Sequence, residues 1–152
     1  MGPLGGALEG CTLIGLDTEL LIYMFEQNPR YVPLCRPLVE RYEDPRDPLH
    51  AVASAVALTE VLVLPFRDDD ARLVDTYTQN LTNQRGLTVV PIGADIAVCA
   101  AQLRARYRLK TPDAIHLATA VQTGCDAFIT NDQDFRGDPE TEIRILFLDD
   151  YV

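Results

Sequence analysis

The sequence predicts a three-layer α/β/α fold with a mostly parallel sheet of about five strands, and two observations predict it. Short apolar runs of strand length alternate along the chain with segments whose apolar residues recur every three or four positions. Strands that alternate with helices form parallel sheets through right-handed crossovers, so that helices cover both faces. The length of 152 residues fits one domain.

The strands and helices follow one another in a regular order. Strands are predicted over residues 11–16, 50–54, 87–91, 126–130 and 145–148. Helices are predicted over residues 18–27, 32–42, 56–64, 68–83, 94–107 and 111–122. Proline has no backbone N–H and should stop a helix, so we expect the helix over 56–64 to end before Pro65.

The start of the chain differs in composition from the rest. Residues 1–10 are rich in glycine and are predicted to be a flexible lead, which leaves residues 11–152 as the single folded domain. This start lacks the basic and apolar regions of a signal peptide, and no apolar run reaches the ~18 residues of a membrane span. The four cysteines form no CxxC pair and are expected to be buried, reduced thiols. A cytoplasmic location is therefore expected.

The charge of the chain restricts what it can bind. The 13 basic and 23 acidic residues give a net charge of −10. Such a charge argues against a protein that coats DNA through long-range attraction. It is compatible with an enzyme that holds phosphates through metal ions, because a carboxylate cluster that binds cations must itself be acidic.

Five acidic residues are predicted to meet at one edge of the sheet. Asp17 follows the first strand, Asp132 and Asp134 follow the fourth, Asp113 lies in the first turn of a helix, and Glu60 lies in the helix after the second strand. Sites in such sheets lie beyond the carboxyl ends of the strands. Carboxylates brought together repel one another unless a cation joins them. Oxygen ligands select Mg²⁺ or Mn²⁺, one or two of which can activate water against a phosphodiester.

Each of these acids also has a purely structural interpretation. Asp17 could cap the helix that follows it, and Asp113 could serve the dipole of its own helix. Asp132 and Asp134 could be turn residues. Glu60 could be a surface residue, although apolar neighbours surround it in the sequence and a carboxylate there is costly unless it is paired. The chemical interpretation depends on their joint placement.

Basic residues and a histidine lie next to Asp113 in the sequence. The basic cluster consists of Arg104, Arg106, Arg108 and Lys110. It is predicted to hold RNA phosphates, although a solvated helix end is an open alternative because cations suit helix C-termini. His116 follows Asp113 by three residues and so lies near the same helix face. It could support catalysis or contact RNA, or it could be a buried structural histidine.

Several segments resemble, in order, those of the PIN-domain family, especially its VapC-type toxins. They are LIGLDTELLIY, ASAVALTEVLVLPF and LKTPDAIHLATAVQTGCDAFITNDQDF, the last of which ends in the TNDQDF piece. The resemblance covers most of residues 11–148 and implies a PIN-like fold. It implies Mg²⁺- or Mn²⁺-dependent endonuclease action on single-stranded RNA.

The same resemblance implies roles for individual residues. The catalytic metal site would comprise Asp17, Glu60, Asp113 and Asp132. Asp134 would be an auxiliary acid and metal ligand. Thr130 would support the site by hydrogen bonding, and Asn131 would orient a carboxylate or a water. The chain departs from the family in a longer stretch over residues 30–48 and in Glu19, where such families often place asparagine or an aliphatic residue.

The resemblance also implies partners, and it leaves alternative functions open. A toxin would have an antitoxin whose arginine enters the acidic pocket, and it would form a homodimer through helices of the N-terminal half. The alternatives are a housekeeping PIN nuclease that processes RNA and a non-catalytic PIN-like module that binds RNA or protein. Aspartyl phosphotransfer is a weaker alternative, because Glu19 stands where the haloacid-dehalogenase pattern needs a second aspartate and Lys110 is misplaced for a response regulator.

Overall fold

The computed structural model of the chain describes residues 3–136 and 143–152. The described residues form a five-stranded sheet of order β3-β2-β1-β4-β5, and every pair in it is parallel. The strands are β1 Leu13–Leu16, β2 His50–Ser54, β3 Leu87–Val90, β4 Ala127–Thr130 and β5 Arg144–Phe147. The predicted parallel α/β sheet of five strands is confirmed.

Helices connect these strands. They are α1 Pro3–Ala7, α2 Thr18–Phe25, α3 Val32–Glu43, α4 Val56–Val61, α5 Val63–Arg67, α6 Ala71–Thr82, α7 Ala94–Tyr107 and α8 Thr111–Gln122. Short 3-10 turns follow β4 at Gln133–Arg136 and β5 at Leu148–Tyr151. Within residues 3–136 and 143–152, none of the helices is long and apolar enough to cross a membrane.

The structure differs from the prediction in two helical regions. The helix predicted over 56–64 divides at Leu62 into α4 and α5, and Pro65 lies inside α5 instead of after the helix. Proline is tolerated there because the first turn of a helix has no partner for its N–H groups. Part of the expected flexible lead forms α1, and Leu4 and Leu8 from this segment are buried in the core. Burial of these two leucine side chains stabilises the packing of this glycine-rich segment against the core.

Side chains alternate between the two faces of the sheet, and each face has its own apolar cluster. Leu16 of β1 and Ile129 of β4 pack in the cluster formed with α1, α2, α3, α4 and α6. Phe128, which directly precedes Ile129 on β4, packs in the cluster formed with α7 and α8 on the other face. Each cluster also contains two buried free thiols. The thiols are Cys11 and Cys35 in the first cluster and Cys99 and Cys125 in the second.

Helix α8 lies unusually close to the central strand β1. A Cβ placed on Gly15 would lie 2.7 Å from the Cβ of Ala120, so only glycine permits this approach. Asp113 lies in the first turn of the same helix. The packing of Ala120 against Gly15 therefore helps to fix the position of Asp113 relative to the sheet. A residue larger than glycine at position 15 would push α8 away from β1 and would move Asp113 with it.

Candidate functional site

Asp17 is the best anchored of the predicted site residues. It directly follows β1 and is only 4% exposed. Its Oδ2 accepts a hydrogen bond from Thr130 Oγ1 at 2.6 Å, and its Oδ1 accepts one from the backbone N–H of Thr18 at 2.8 Å. Because β1 and β4 are neighbours, Thr130 at the end of β4 lies beside Asp17 at the end of β1. The pairing of the two strands thus holds this carboxylate at the edge of the sheet.

A group of three carboxylates lies at the same edge. Asp113, Asp132 and Asp134 each offer an oxygen, and these three oxygens lie within 4.8 Å of one another. The turn after β4 is held by its own side chains, since Asp132 N–H donates to Thr130 Oγ1 at 3.0 Å and Asp134 N–H donates to Asp132 Oδ1 at 2.9 Å. Closely spaced oxygen donors of this kind fit a hard divalent cation such as Mg²⁺ or Mn²⁺.

Glu60 takes part in a second network, which adjoins Asp17. Its Oε1 lies 2.7 Å from His116 Nε2 and accepts a hydrogen bond from Thr18 Oγ1 at 3.0 Å. His116 Nε2 also lies 2.9 Å from Thr18 Oγ1 and 3.7 Å from Asp17 Oδ1. The imidazole is buried, and its Nδ1 has no hydrogen-bond partner among residues 3–136 and 143–152. The predicted acids are therefore arranged as a group of three aspartates and a Glu60–His116–Thr18 network, with Asp17 beside His116.

The crowding of negative charge alters the acidity of these groups. Burial raises the pKa of Asp17 above its ordinary value. Burial and the charges of Asp132 and Asp17 raise the pKa of Asp113 to about 6. Burial also acts to raise the pKa of Glu60, but hydrogen bonding and the charge of His116 outweigh it, and that pKa is lowered. The negative charges of Asp17 and Asp113 are thus disfavoured in the folded protein, and a nearby cation would offset this cost.

Glu19 is a further member of the acidic pocket, although sequence reasoning did not place it among the site residues. It lies half-buried in the first turn of α2. Burial, followed by the charges of Asp17, Asp132 and Asp113, raises its pKa to about 7. Its position two residues after Asp17, at the start of the same helix, is the signal that could have identified it.

Replacing Glu19 by glutamine should stabilise the metal-free protein at about pH 8 and change it little at about pH 5. A carboxyl whose pKa is raised on folding costs stability when it is ionised, and this cost shrinks as the pH falls from the folded pKa of about 7 towards the ordinary value of 4.5. Because the side chain is only half-buried, we expect a gain on the order of 1 kcal/mol at the higher pH. Thermal unfolding in EDTA at both pH values measures the difference.

Glu26→Gln provides the matched control, since Glu26 is exposed at the opposite end of α2. Its effect on the melting temperature should be the same at both pH values. If Glu19→Gln also changed the melting temperature equally at both pH values, this result would contradict the raised pKa of Glu19.

The remaining predicted residues occupy different positions around the site. Asn131 does not contact a carboxylate side chain within the described hydrogen bonds; its amide donates to the Tyr23 hydroxyl at 3.3 Å, and its Oδ1 accepts from the backbone N–H of Asp149 at 2.9 Å. Lys110 Nζ lies 3.8 Å from Asp134 Oδ2, which connects the basic cluster to the three aspartates. The rest of that cluster is exposed on and after the end of α7, namely Arg104, Arg106 and Arg108.

The chain matches the PIN domain family over residues 14–137. Among solved structures, a toxin–antitoxin complex from Klebsiella pneumoniae is similar at 26% identity and a TM-score of 0.63, and the match covers 90% of this chain and 97% of that chain. VapBC2 from Rickettsia felis, bound to a DNA fragment from its promoter, is similar at 13% identity and a TM-score of 0.64, with 88% of this chain and 96% of that chain covered.

FitAcB from Neisseria gonorrhoeae is similar at 16% identity and a TM-score of 0.60, with 90% of this chain and 97% of that chain covered. At these identities the Rickettsia and Neisseria structures support the fold alone. No curated protein sequence matches the chain. The family match and the solved structures therefore agree with the arrangement of strands around the acidic edge.

Proposed function

The chain belongs to the PIN-domain family, and from that premise we propose that it is a metal-dependent endoribonuclease that cleaves single-stranded RNA as the toxin of a VapBC-type pair. PIN domains are nucleases, so hydrolysis of a phosphodiester is the general chemistry. The observation that carries the proposal is the set of oxygens from Asp113, Asp132 and Asp134 within 4.8 Å of one another, beside Asp17. The oxygen-only donor set favours Mg²⁺ or Mn²⁺.

The residues of the site would have distinct tasks. Asp113, Asp132 and Asp134, with Asp17 behind them, would hold one or two cations. When bound, such an ion lowers the pKa of a water and stabilises the leaving oxygen of a phosphodiester. Thr130 donates its hydroxyl proton to Asp17 and accepts the N–H of Asp132, so it keeps both carboxylates in position.

Glu60 and His116 would form the other side of the pocket. The hydrogen bond between them, supported by Thr18, fixes the Glu60 carboxylate next to Asp17. In that position Glu60 would be a further ligand of the cation, as the family resemblance implies. Lys110 beside Asp134 would hold an RNA phosphate at the entrance, and the arginines of the basic cluster would extend this contact.

The toxin assignment rests on the likeness to the Klebsiella toxin–antitoxin complex, which spans nearly all of both chains. An antitoxin arginine entering the acidic pocket would replace the charge of the metal and silence the enzyme. We also propose a homodimer through helices of the N-terminal half and a cytoplasmic location, in which the four buried thiols remain reduced. A housekeeping nuclease would lack the silencing partner.

Cleavage of end-labelled oligonucleotides tests the proposal. We expect the chain to cut single-stranded RNA in Mg²⁺ or Mn²⁺, to be inactive in EDTA, and to leave DNA of the same sequence intact. Addition of an antitoxin encoded next to the gene should stop cleavage. RNA cleavage that continued undiminished in EDTA, or a complete lack of cleavage with either metal, would contradict the metal-dependent mechanism.

A further inference from the structure

Two tyrosines and an arginine form a stacked column on the surface near the acidic pocket. The rings of Tyr23 and Tyr31 are stacked, with centroids 4.1 Å apart and an interplanar angle of 14°. The guanidinium carbon of Arg30 lies over the Tyr31 ring, 5.5 Å from its centroid. The Arg30 side chain is 61% exposed. The column thus ends in a flat cation whose surface is largely open to solvent.

Hydrogen bonds fasten this column to the residues that carry the acids. Asn131, which directly precedes Asp132, donates to the Tyr23 hydroxyl at 3.3 Å. Tyr31 donates its hydroxyl proton to Asp149 Oδ1 at 2.7 Å, and the backbone N–H of Asp149 donates to Asn131 Oδ1. The column and the turn that holds Asp132 therefore share one hydrogen-bonded framework.

Arg30 is not needed to hold this hydrogen-bonded framework together. The two tyrosines already tie the connection between α2 and α3 to the C-terminal turn through their rings and hydroxyls. Arg30 adds an ion pair with Asp149 at 3.6 Å, which is exposed and so contributes little to stability. The Arg30 guanidinium lies over an aromatic ring and is largely exposed, and unpaired nucleobases stack on guanidinium planes of this kind.

Charge around the pocket favours a nucleic acid strand at this place. The chain carries a net charge of −10, so phosphates need local cations to approach the acids. Lys110 supplies one beside Asp134, and Arg30 supplies another beside Asp149. One cation thus lies next to the turn after β4, and a second lies next to the turn at Leu148–Tyr151.

We propose that the Tyr23–Tyr31–Arg30 column is a base-binding subsite, on which one unpaired base of the RNA stacks while the neighbouring phosphate lies at the aspartates. This proposal rests on the proposed ribonuclease function and deepens it. Stacking is tolerant of base identity, because every base has a π face. The subsite therefore selects single-stranded over paired RNA and fixes the position of the strand relative to the acids.

Binding of a fluorescein-labelled single-stranded RNA to the full chain, with Ca²⁺ in place of Mg²⁺, tests the subsite. Fluorescence anisotropy should give an affinity about tenfold weaker for Arg30→Ala, the usual scale for loss of one stacked base. Arg30→Lys keeps the charge but loses the plane, so most of the loss should remain. Arg46→Ala is the matched control, because Arg46 forms an exposed pair with Asp44 before the amino end of β2 and should leave binding unchanged.

Scanning the RNA with an abasic nucleotide separates stacking from phosphate contact. One abasic position should weaken binding to the parent chain, and at that position Arg30→Ala should cause no further loss. Full affinity of Arg30→Lys, or an equal loss by Arg30→Ala on intact and abasic RNA, would overturn the subsite. So would a variant that keeps its RNA affinity but binds an antitoxin less tightly, since the column would then be a protein contact. A parent chain that failed to bind RNA would overturn the ribonuclease function as well.

Discussion

Replacing Asp17 by asparagine is expected to abolish RNA cleavage while raising the melting temperature of the metal-free protein. The carboxylate is almost completely buried, and burial raises its pKa, so its negative charge costs stability at neutral pH. Asparagine keeps an oxygen for the N–H of Thr18 but removes the charge. We expect kcat/KM to fall by at least about a hundredfold. The melting temperature in EDTA should rise by about 2–4 °C, or ~1 kcal/mol for this chain length.

Asp126→Asn is the matched control for this prediction. Asp126 precedes β4 at the opposite edge of the sheet, where its carboxylate accepts hydrogen bonds from the backbone N–H groups of Thr12 and Leu13. These hydrogen bonds hold its pKa below the usual range, so the charge favours the folded state. The control should lower the melting temperature and leave cleavage unchanged. An Asp17→Asn variant that kept full activity would remove Asp17 from the mechanism.

Asp113→Asn should weaken Mn²⁺ binding by on the order of a hundredfold and abolish cleavage without unfolding the protein. Its carboxylate lies within reach of Asp132 and Asp134, and burial together with the charges of Asp132, Asp17 and Asp134 raises its pKa. Titration calorimetry with Mn²⁺ measures the affinity. Because this pKa is about 6, wild-type affinity should also fall as the pH drops below it, since protons then compete with the cation.

Asp95→Asn distinguishes a metal ligand from an acid that serves the helix dipole. Asp95 lies in the first turn of α7, as Asp113 lies in the first turn of α8. The Asp95 variant should lose the same small dipole contribution, typically 0.3–1 kcal/mol, and retain Mn²⁺ binding. Equal Mn²⁺ affinities for the two variants would show that Asp113 does nothing beyond its helix.

Sequence reasoning predicted the parts of the site that depend on strand order. Asp17 and Asp132 follow strands that proved to be neighbours, and the carboxyl ends of parallel strands meet at one edge. Asp113 was predicted to join them from the first turn of α8. These placements depend on alternating strands and helices, a pattern that the chain displays locally. The roles of these acids remain predictions, to be decided by the variants described above.

The positions of other groups depend on contacts that no local pattern reveals. Glu60 engages His116, which lies 56 residues further along the chain. The Tyr23–Tyr31–Arg30 column is fastened to Asp149, 118 residues after Tyr31. Sequence periodicity shows which face of a helix is apolar, but not which distant side chain a polar group meets. The place of Glu19 near the acids is readable from its position two residues after Asp17, but the raised pKa of its carboxyl arises only when three separate segments converge.

The four thiols provide internal reporters for the two halves of the interior. Cys11 and Cys35 lie on one side of the sheet, and Cys99 and Cys125 lie on the other. A buried thiol reacts with an alkylating reagent only when its surroundings open. The modification rates of the two pairs would therefore compare transient exposure of the two helical layers, without any engineered label.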